Sequence, residues 1–144
     1  MLRKLLSKRP SGFTLIEVVI VLAIAGLIFV IVFLAVSQAQ ASRRDTQRKN
    51  DANRIGAALE QYASNNQGNL PSEASFDAPS GSWNTDYWSK LNMNDPGSGS
   101  GYTPQVNFAS CASGAEGTVY YDTTNRVYTL VMCLEKGSYS VTNQ

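Results

Sequence analysis

The sequence contains no histidine among its 144 residues. Histidine is the commonest general base near neutral pH and the commonest metal ligand, so its absence removes the usual basis for acid–base catalysis. The serines have no histidine partner, the two cysteines lack metal-ligand spacing, and no glycine-rich phosphate-binding loop is present. The sequence therefore predicts a protein that is not an enzyme and that needs no cofactor and no metal ion.

The sequence also has little net charge, +1 from 12 basic and 11 acidic side chains, but these charges are unevenly placed. Residues 1–12 carry four basic groups and no acid, whereas residues 55–144 carry three basic groups against eight acids. A nucleic-acid-binding domain usually presents a clear excess of positive charge. The overall composition therefore disfavours nucleic acid as a partner.

Residues 18–36 form a run of nineteen uncharged, apolar residues, and Glu17 stands directly before it. At about 1.5 Å per residue, a helix of that length spans about 29 Å, which matches a hydrocarbon core of about 30 Å. An unpaired carboxylate at the edge of a membrane helix is costly, so Glu17 invites a functional explanation. The run predicts one membrane-spanning helix and leaves roughly 100 residues for one small domain.

Proline is absent from residues 37–66, which contain a single glycine, Gly56, and many good helix formers. Four apolar residues recur there at spacings of three, four and three, the pattern of an amphipathic stripe: Ala52, Ile55, Leu59 and Tyr62. A glycine-containing polar stretch and then Pro71 supply a stop. We therefore predict one helix from near Phe13 to near Asn66.

Residues 69–101 are rich in proline, glycine, serine and asparagine, which predicts a long loop with a short helix around Trp83 to Leu91. Beyond the loop, β-branched and aromatic residues predict three strands, at residues 118–122, 126–134 and 138–141. Turns are predicted at residues 123–125 and 135–137. The predicted fold class is α+β: a long N-terminal helix, transmembrane in its first half, packed on a small antiparallel sheet of about three strands.

The two cysteines, Cys111 and Cys133, allow two interpretations. In an extracytoplasmic domain such a pair favours a disulfide, and the alternative is two buried free thiols that behave as small apolar residues. We predict the disulfide, which would join the loop before the sheet to its central strand.

Three further groups of side chains have both a functional and a structural interpretation. One is a basic run that spreads around more than half of the helix, which favours a solvated surface over a nucleic-acid or headgroup site: Arg43, Arg44, Arg48, Lys49 and Arg54. Another is the aromatic group of Trp83, Tyr87 and Trp88, which is more typical of a core than of an adhesive patch. The third is a set of aspartates that could bind calcium but lacks a recognisable ligand loop: Asp86, Asp95 and Asp122.

The start of the apolar run resembles the class III signal of type IV pilins and pseudopilins. The resemblance rests on K-R-P-S-G-F-T-L-I-E at residues 8–17. In that family a membrane-embedded prepilin peptidase cuts after the glycine and methylates the new N-terminal residue. The resemblance implies that Gly12 ends the leader, that Phe13 is the methylated N-terminus and that Glu17 is the acid of the fifth mature position. There it would neutralise the Phe13 amine of a neighbouring subunit, because an unpaired buried charge costs several kcal/mol.

The resemblance also implies a domain organisation and a set of partners. Residues 1–12 would be the leader, residues 13–67 the long helix, and residues 68–144 a globular head with a variable loop and the sheet. Within the helix, residues 13–36 would be the transmembrane segment and filament core, and residues 37–67 the amphipathic part. The implied partners are prepilin peptidase, a membrane assembly platform, and further subunits in a homo-oligomeric or mixed helical filament. The chain would be a single-pass membrane protein first and part of a surface filament afterwards.

A different class of protein remains open, a secreted extracellular binding domain released by ordinary signal peptidase. Ala39, Gln40 and Ala41 form an A-x-A site, and cleavage there would leave Ser42 as the first residue. The apolar part of a signal peptide usually has about 7–15 residues, and the run here has nineteen. The N-terminal residue of the mature protein distinguishes the two interpretations.

Overall fold

The structure, a computed structural model, describes residues 12–78, 81–124 and 126–143. The chain divides into two compact units, Met1–Ala39 and Gln40–Gln144. Helix α1 (Leu15–Asn65) begins in the first unit and continues into the second. Its two ends lie close to the predicted ones. No proline interrupts residues 11–70, and the helix is followed by Gln67 and Gly68, whose positive φ angles end it.

In the first unit, α1 exposes nearly all of its apolar side chains. Leu22 is 66% exposed, Phe29 76% and Phe33 79%. This helix is long and apolar enough to cross a membrane, by its length and composition. A continuous apolar surface of this size is rare on soluble monomers and marks a membrane or protein contact.

The second unit contains a sheet of four strands in the order β1-β2-β3-β4. The strands are β1 (Thr103–Val106), β2 (Thr118–Thr124), β3 (Val127–Leu134) and β4 (Gly137–Thr142). β2, β3 and β4 form the predicted antiparallel meander, while β1 pairs with β2 in parallel. The fold is therefore α+β, with a long helix packed on a mostly antiparallel sheet.

Two details of the sheet differ from the sequence prediction. The parallel strand β1 was not predicted, because it has only four residues and contains Pro104, which is compatible only with an edge strand. The predicted turn at residues 123–125 was also wrong for Thr123 and Thr124, which continue β2 and pair with β3. Residue 125 lies outside the described residues.

The core of the second unit lies between the stripe of α1 and one face of the sheet. Ala52, Ile55 and Leu59 are buried, and Tyr62 packs against the same cluster. The sheet contributes alternate residues of its two central strands: Val119, Tyr121, Tyr128, Leu130 and Met132. The predicted packing of the sheet on the helix stripe is confirmed.

Short helical segments cover the far end of this core. They are α2 (Glu73–Asp77), a π-helical turn (Asn84–Trp88) and α3 (Ser89–Leu91). The ring of Phe76 stacks on Tyr121 at 4.3 Å between centroids and on Trp83 at 5.7 Å. Trp83 is fully buried, while Tyr87 and Trp88 are partly buried against the cluster. The aromatic group is thus part of the core, as the sequence favoured.

Gly56 allows the sheet to approach α1 closely. A Cβ atom at this position would lie 3.1 Å from the Tyr128 hydroxyl and 3.1 Å from Cγ1 of Val141. The Tyr128 hydroxyl also donates a hydrogen bond to the Gly56 carbonyl, 3.2 Å away. A large side chain at this position would have to push the sheet off the helix.

We expect Gly56→Leu to lower the free energy of unfolding of the second unit by about 3 kcal/mol, since overpacking costs more than the gain in helix propensity. The matched control is Ala57→Leu, because Ala57 is the next residue of α1 and is exposed. Denaturant unfolding of the full chain in lipid nanodiscs, followed by tryptophan fluorescence, measures both. Equal stabilities of the two variants would show that Gly56 is not a packing requirement.

Candidate functional site

The N-terminus of α1 is closed by a reciprocal pair of hydrogen bonds between Thr14 and Glu17. The Thr14 backbone N–H donates to Oε2 of Glu17 at 2.9 Å, and the Thr14 hydroxyl donates to the same oxygen at 2.8 Å. The Glu17 N–H in turn donates to the Thr14 hydroxyl at 3.4 Å. Because Thr14 directly precedes the helix and Glu17 is its third residue, the two form a capping box.

This capping box gives Glu17 a role that the sequence analysis missed, although the T-x-x-E spacing is visible in the sequence. Of the two Glu17 carboxylate oxygens, only Oε2 accepts hydrogen bonds from described residues. The other oxygen has capacity to accept a hydrogen bond from an amine. Glu17 can therefore cap its own helix and still accept a hydrogen bond from a cation.

Gly12 and Phe13, which lie shortly before the helix, are open to solvent. Gly12 and Phe13 lie outside secondary structure, and Phe13 is 88% exposed. A Cβ atom at Gly12 would meet nothing within 4 Å. The rest of the predicted leader, residues 1–11, lies outside the described residues. The predicted cleavage bond between Gly12 and Phe13 is thus sterically accessible.

A second group of interacting side chains, which we call the Arg48 cluster, lies in the second unit. It consists of Arg44, Asp45, Arg48, Asp95 and Glu135. The Arg48 side chain is 2% exposed, and its Nε lies 2.5 Å from Oδ1 of Asp95. Its Nη1 lies 3.2 Å from Asp45 and 3.4 Å from Glu135. Glu135 also makes a bidentate pair with Arg44.

Two glycines give the Arg48–Asp95 pair the space it needs. A Cβ atom at Gly97 would lie 2.7 Å from Nη2 of Arg48. One at Gly117, whose φ is +80°, would lie 2.9 Å from Cγ of Asp95. Asp95 also accepts hydrogen bonds from the N–H groups of Gly97 and Ser98, at 3.0 and 2.8 Å. Two loops therefore close around one buried ion pair.

A neighbouring acid on α1, Asp51, is satisfied in a similar way. It accepts from the Tyr102 hydroxyl at 2.8 Å and from Arg54 at 3.1 Å. Burial, followed by the hydrogen bond to Asp51, raises the pKa of Tyr102 well above its ordinary value. Tyr102 therefore stays protonated and acts as a hydrogen-bond donor that ties β1 to the helix.

The Arg48 cluster corrects the interpretation of the basic run on α1 as a solvated surface. Arg48 is fully buried and Arg44 is partly buried in its pair with Glu135, whereas Arg43, Lys49 and Arg54 are exposed. The sequence could not reveal this, because Asp95 and Glu135 lie 47 and 87 residues away from Arg48. The basic run is therefore divided between the interior and the surface.

The three aspartates considered for calcium are in three different environments. Asp95 forms an ion pair with Arg48, and Asp122 is exposed on β2. Oδ1 of Asp86 lies 3.8 Å from Nζ of Lys90. Within the described ranges, no group of three histidine, cysteine, aspartate or glutamate side chains could hold a metal ion. The structure thus does not bring these candidates together.

Cys111 and Cys133 form a disulfide, with their Cα atoms 5.4 Å apart. Cys133 lies in β3, the predicted central strand. Cys111 follows β1, so the bridged loop connects two strands of the sheet instead of preceding the sheet. The predicted disulfide is confirmed, and the free-thiol alternative is wrong.

Comparison with protein families matches residues 7–33 to the prokaryotic N-terminal methylation motif. Neither the curated proteins nor the solved structures contain a match to the chain. The chain therefore carries the N-terminal methylation motif typical of type IV pilins and pseudopilins, and this motif includes the first, apolar part of the long helix α1.

The Arg48 cluster predicts a loss of stability in acid. Burial opposes ionisation of Asp95, but hydrogen bonds from Arg48 and Ser98 outweigh it and hold its pKa below the ordinary 3.8. The hydrogen bond from Arg44 lowers the pKa of Glu135 below 4.5. Because both values are lowered on folding, their contribution is complete at neutral pH and is lost as the pH falls below these ordinary values.

We therefore expect the free energy of unfolding to be flat from pH 7 to about 5 and to fall below about pH 4. Asp95→Asn should lower stability at pH 7 by about 3 kcal/mol, because Arg48 loses its nearest charged partner, and should reduce the loss in acid. Asp86→Asn, at an exposed pair, is the control and should change stability by about 0.5 kcal/mol or less. Denaturant unfolding across pH measures these values. An Asp95→Asn protein with wild-type stability at pH 7 would contradict the assigned role.

Proposed function

We propose that the chain is a structural subunit of a type IV pilus or of a type II secretion-like pseudopilus. The observation that carries the proposal is the methylation motif at residues 7–33, which includes the start of α1 and most of its exposed apolar run. A membrane can cover this helix before assembly, and the helices of other subunits can cover it in a filament. No catalytic group is required for either state.

In this proposal, prepilin peptidase removes residues 1–12 and methylates Phe13. The mature subunit remains in the membrane through residues 13–36, with its second unit outside, until an assembly platform adds it to a filament. The head begins where α1 ends, near residue 68. The filament is homo-oligomeric or mixed, and it lies at the cell surface.

Glu17 is the proposed assembly residue. In the single chain its carboxylate caps its own helix through Thr14, and one oxygen has no partner among the described residues. In a filament, that carboxylate would pair with the Phe13 amine of a neighbouring subunit. The pairing fixes the register between two packed helices, because any other register leaves a charge buried in an apolar contact.

The alternative, a binding domain secreted after Ala41, receives less support. Ala39, Gln40 and Ala41 lie inside α1, which runs without a break from Leu15 to Asn65. Cleavage after Ala41 would also separate Asp45 and Arg48 from the helix turn that precedes them. The methylation motif has no role in such a protein.

We expect cleavage between Gly12 and Phe13. Intact-mass analysis of protein from the native cell should give residues 13–144 plus one methyl group, with the disulfide intact. Gly12→Leu, which places a large side chain at the cut, should leave the precursor uncleaved. A mature chain that begins at Ser42 would refute the pilin-like proposal in favour of the secreted domain.

We expect Glu17→Val to be inserted into the membrane and cleaved normally but to be absent from surface filaments. Removing a charge from an apolar helix eases insertion, whereas the unpaired Phe13 amine costs several kcal/mol when helices pack. Shearing the cells and comparing surface and membrane fractions measures this. Glu17→Gln should fail in the same way, because it keeps the polarity of the side chain and loses its charge.

A matched control separates assembly from capping. Thr14→Val removes the hydroxyl of the capping box and keeps the Glu17 carboxylate. If Thr14→Val forms filaments while Glu17→Val does not, the carboxylate acts through its charge and not through the helix cap. Normal filaments from Glu17→Val would show that Glu17 is only a surface carboxylate.

A further inference from the structure

The face of the sheet that points away from α1 carries a different set of side chains from the core face. Residues alternate along β2 and β3, and those between the core positions point to the opposite side. The strand register places Tyr120 opposite Val131 and Asp122 opposite Thr129. These four residues therefore form one continuous patch on the outer face of the sheet.

The segment that follows β1 lies against this patch. The ring of Phe108 meets the ring of Tyr120 edge-to-face, with centroids 5.1 Å apart and planes at 70°. Asn107, directly before it, has a left-handed φ of 60°. The disulfide of Cys111 to Cys133 ties the end of the segment to β3. The segment is thus held at one end by β1 and at the other by a covalent bond.

The segment after β1 and the outer face of the sheet form an open groove of about 380 Å³. Its lining consists of Asn107, Phe108, Tyr120, Asp122, Thr129 and Val131. Phe108 is 42% exposed, and among the described large apolar side chains of the second unit only Val127 is more exposed. The volume lies near the lower end of the range for small-ligand sites, about 300–1,000 Å³.

Three polar side chains that line the groove have no hydrogen-bond or ion-pair partner within the described part of the chain. Asn107, Asp122 and Thr129 make no side-chain hydrogen bond there, and Asp122 makes no ion pair. The contrast with the interior is clear, since Asp45, Asp51 and Asp95 are all paired. The groove therefore presents a carboxylate, an amide and a hydroxyl beside two aromatic rings, with all three able to bind a ligand.

We propose that this groove binds a neutral saccharide residue. A sugar ring has an apolar face of polarised C–H groups that packs on an aromatic ring, whose own face is negative. Its hydroxyls can donate to the Asp122 carboxylate and accept from the Asn107 amide. The exposed ring of Phe108 supplies the stacking surface, and Tyr120 holds that ring in place.

The charge and the hydrogen-bonding groups of the groove disfavour anionic and cationic ligands. No lysine or arginine lines it, so an anionic sugar or a phosphate would face Asp122 without a counter-charge. An ammonium ion would suit the aromatic rings and Asp122. It would, however, accept no hydrogen bond from the exposed Asn107 carboxamide. A neutral polyhydroxyl ligand satisfies all of the lining groups.

The test uses the full-length chain in lipid nanodiscs, because glycoside detergents would compete for the groove. Saturation-transfer NMR and titration calorimetry are carried out with glucose, galactose, mannose, N-acetylglucosamine and N-acetylgalactosamine. We expect saturable binding of at least one of them with a millimolar dissociation constant, as small shallow sites give. Phe108→Ala and Asp122→Ala should each weaken that binding about tenfold.

Two control variants locate the effect. Phe108→Tyr keeps the aromatic ring and should retain binding within about twofold. Asp77→Ala removes an exposed carboxylate from α2, a different element, and should leave binding unchanged. Peptide mapping of the disulfide and thermal unfolding verify that each variant is folded.

Three outcomes would overturn the proposal. One is the absence of saturable binding by every sugar in the panel. Another is binding that survives Phe108→Ala and Asp122→Ala unchanged, which would place it elsewhere. The third is saturable binding of tetramethylammonium in the absence of sugar binding, which would make the groove a cation site.

Discussion

The guanidinium of Arg48 joins three parts of the second unit that share no secondary structure. It contacts Asp45 on its own helix, Asp95 in the glycine-rich loop before β1, and Glu135 in the turn between β3 and β4. The apolar stripe of α1 contacts the sheet further along the helix, with Ile55 and Leu59 about two and three turns beyond Arg48. Arg48 therefore holds both the glycine-rich loop and the β3–β4 turn against the helix, and Arg44 and Asp45 add further contacts to the turn.

A buried ion pair is not in itself a strong source of stability, because desolvation offsets most of the attraction. Apolar residues of similar volume could stabilise the same contact equally well. What the ion pair adds is directionality, because Arg48 has donors in a fixed planar arrangement and the missing side chains of Gly97 and Gly117 leave room for the pair. The glycine-rich loop, which has little propensity for any structure, thereby acquires a single position.

Helix α1 could be predicted almost to its ends, because every signal for it is local: apolar length, the absence of proline, and a glycine stop. The antiparallel strands followed from their β-branched and aromatic residues, and the disulfide from two cysteines in a domain predicted to be extracytoplasmic. The Thr14–Glu17 capping box could also have been found from its spacing. By contrast, β1 has only four residues and contains a proline, and the burial of Arg48 depends on partners distant in the sequence. The pairing of β1 and the burial of Arg48 are set by contacts between distant residues, so local sequence patterns do not reveal them.

The two faces of the sheet explain why binding capacity lies on one side only. On the core face, Tyr121 and Tyr128 donate their hydroxyls to the carbonyls of Pro71 and Gly56, so their polar atoms are already satisfied. On the outer face, the disulfide and β1 hold Phe108 against Tyr120, and none of these residues takes part in the packing of the sheet on α1. A change in residues 107–111 can therefore alter what the surface binds while α1, the core and the proposed assembly residue Glu17 stay as they are. The proposed saccharide groove and the proposed assembly residue therefore use different residues of the chain, so one can change while the other is kept.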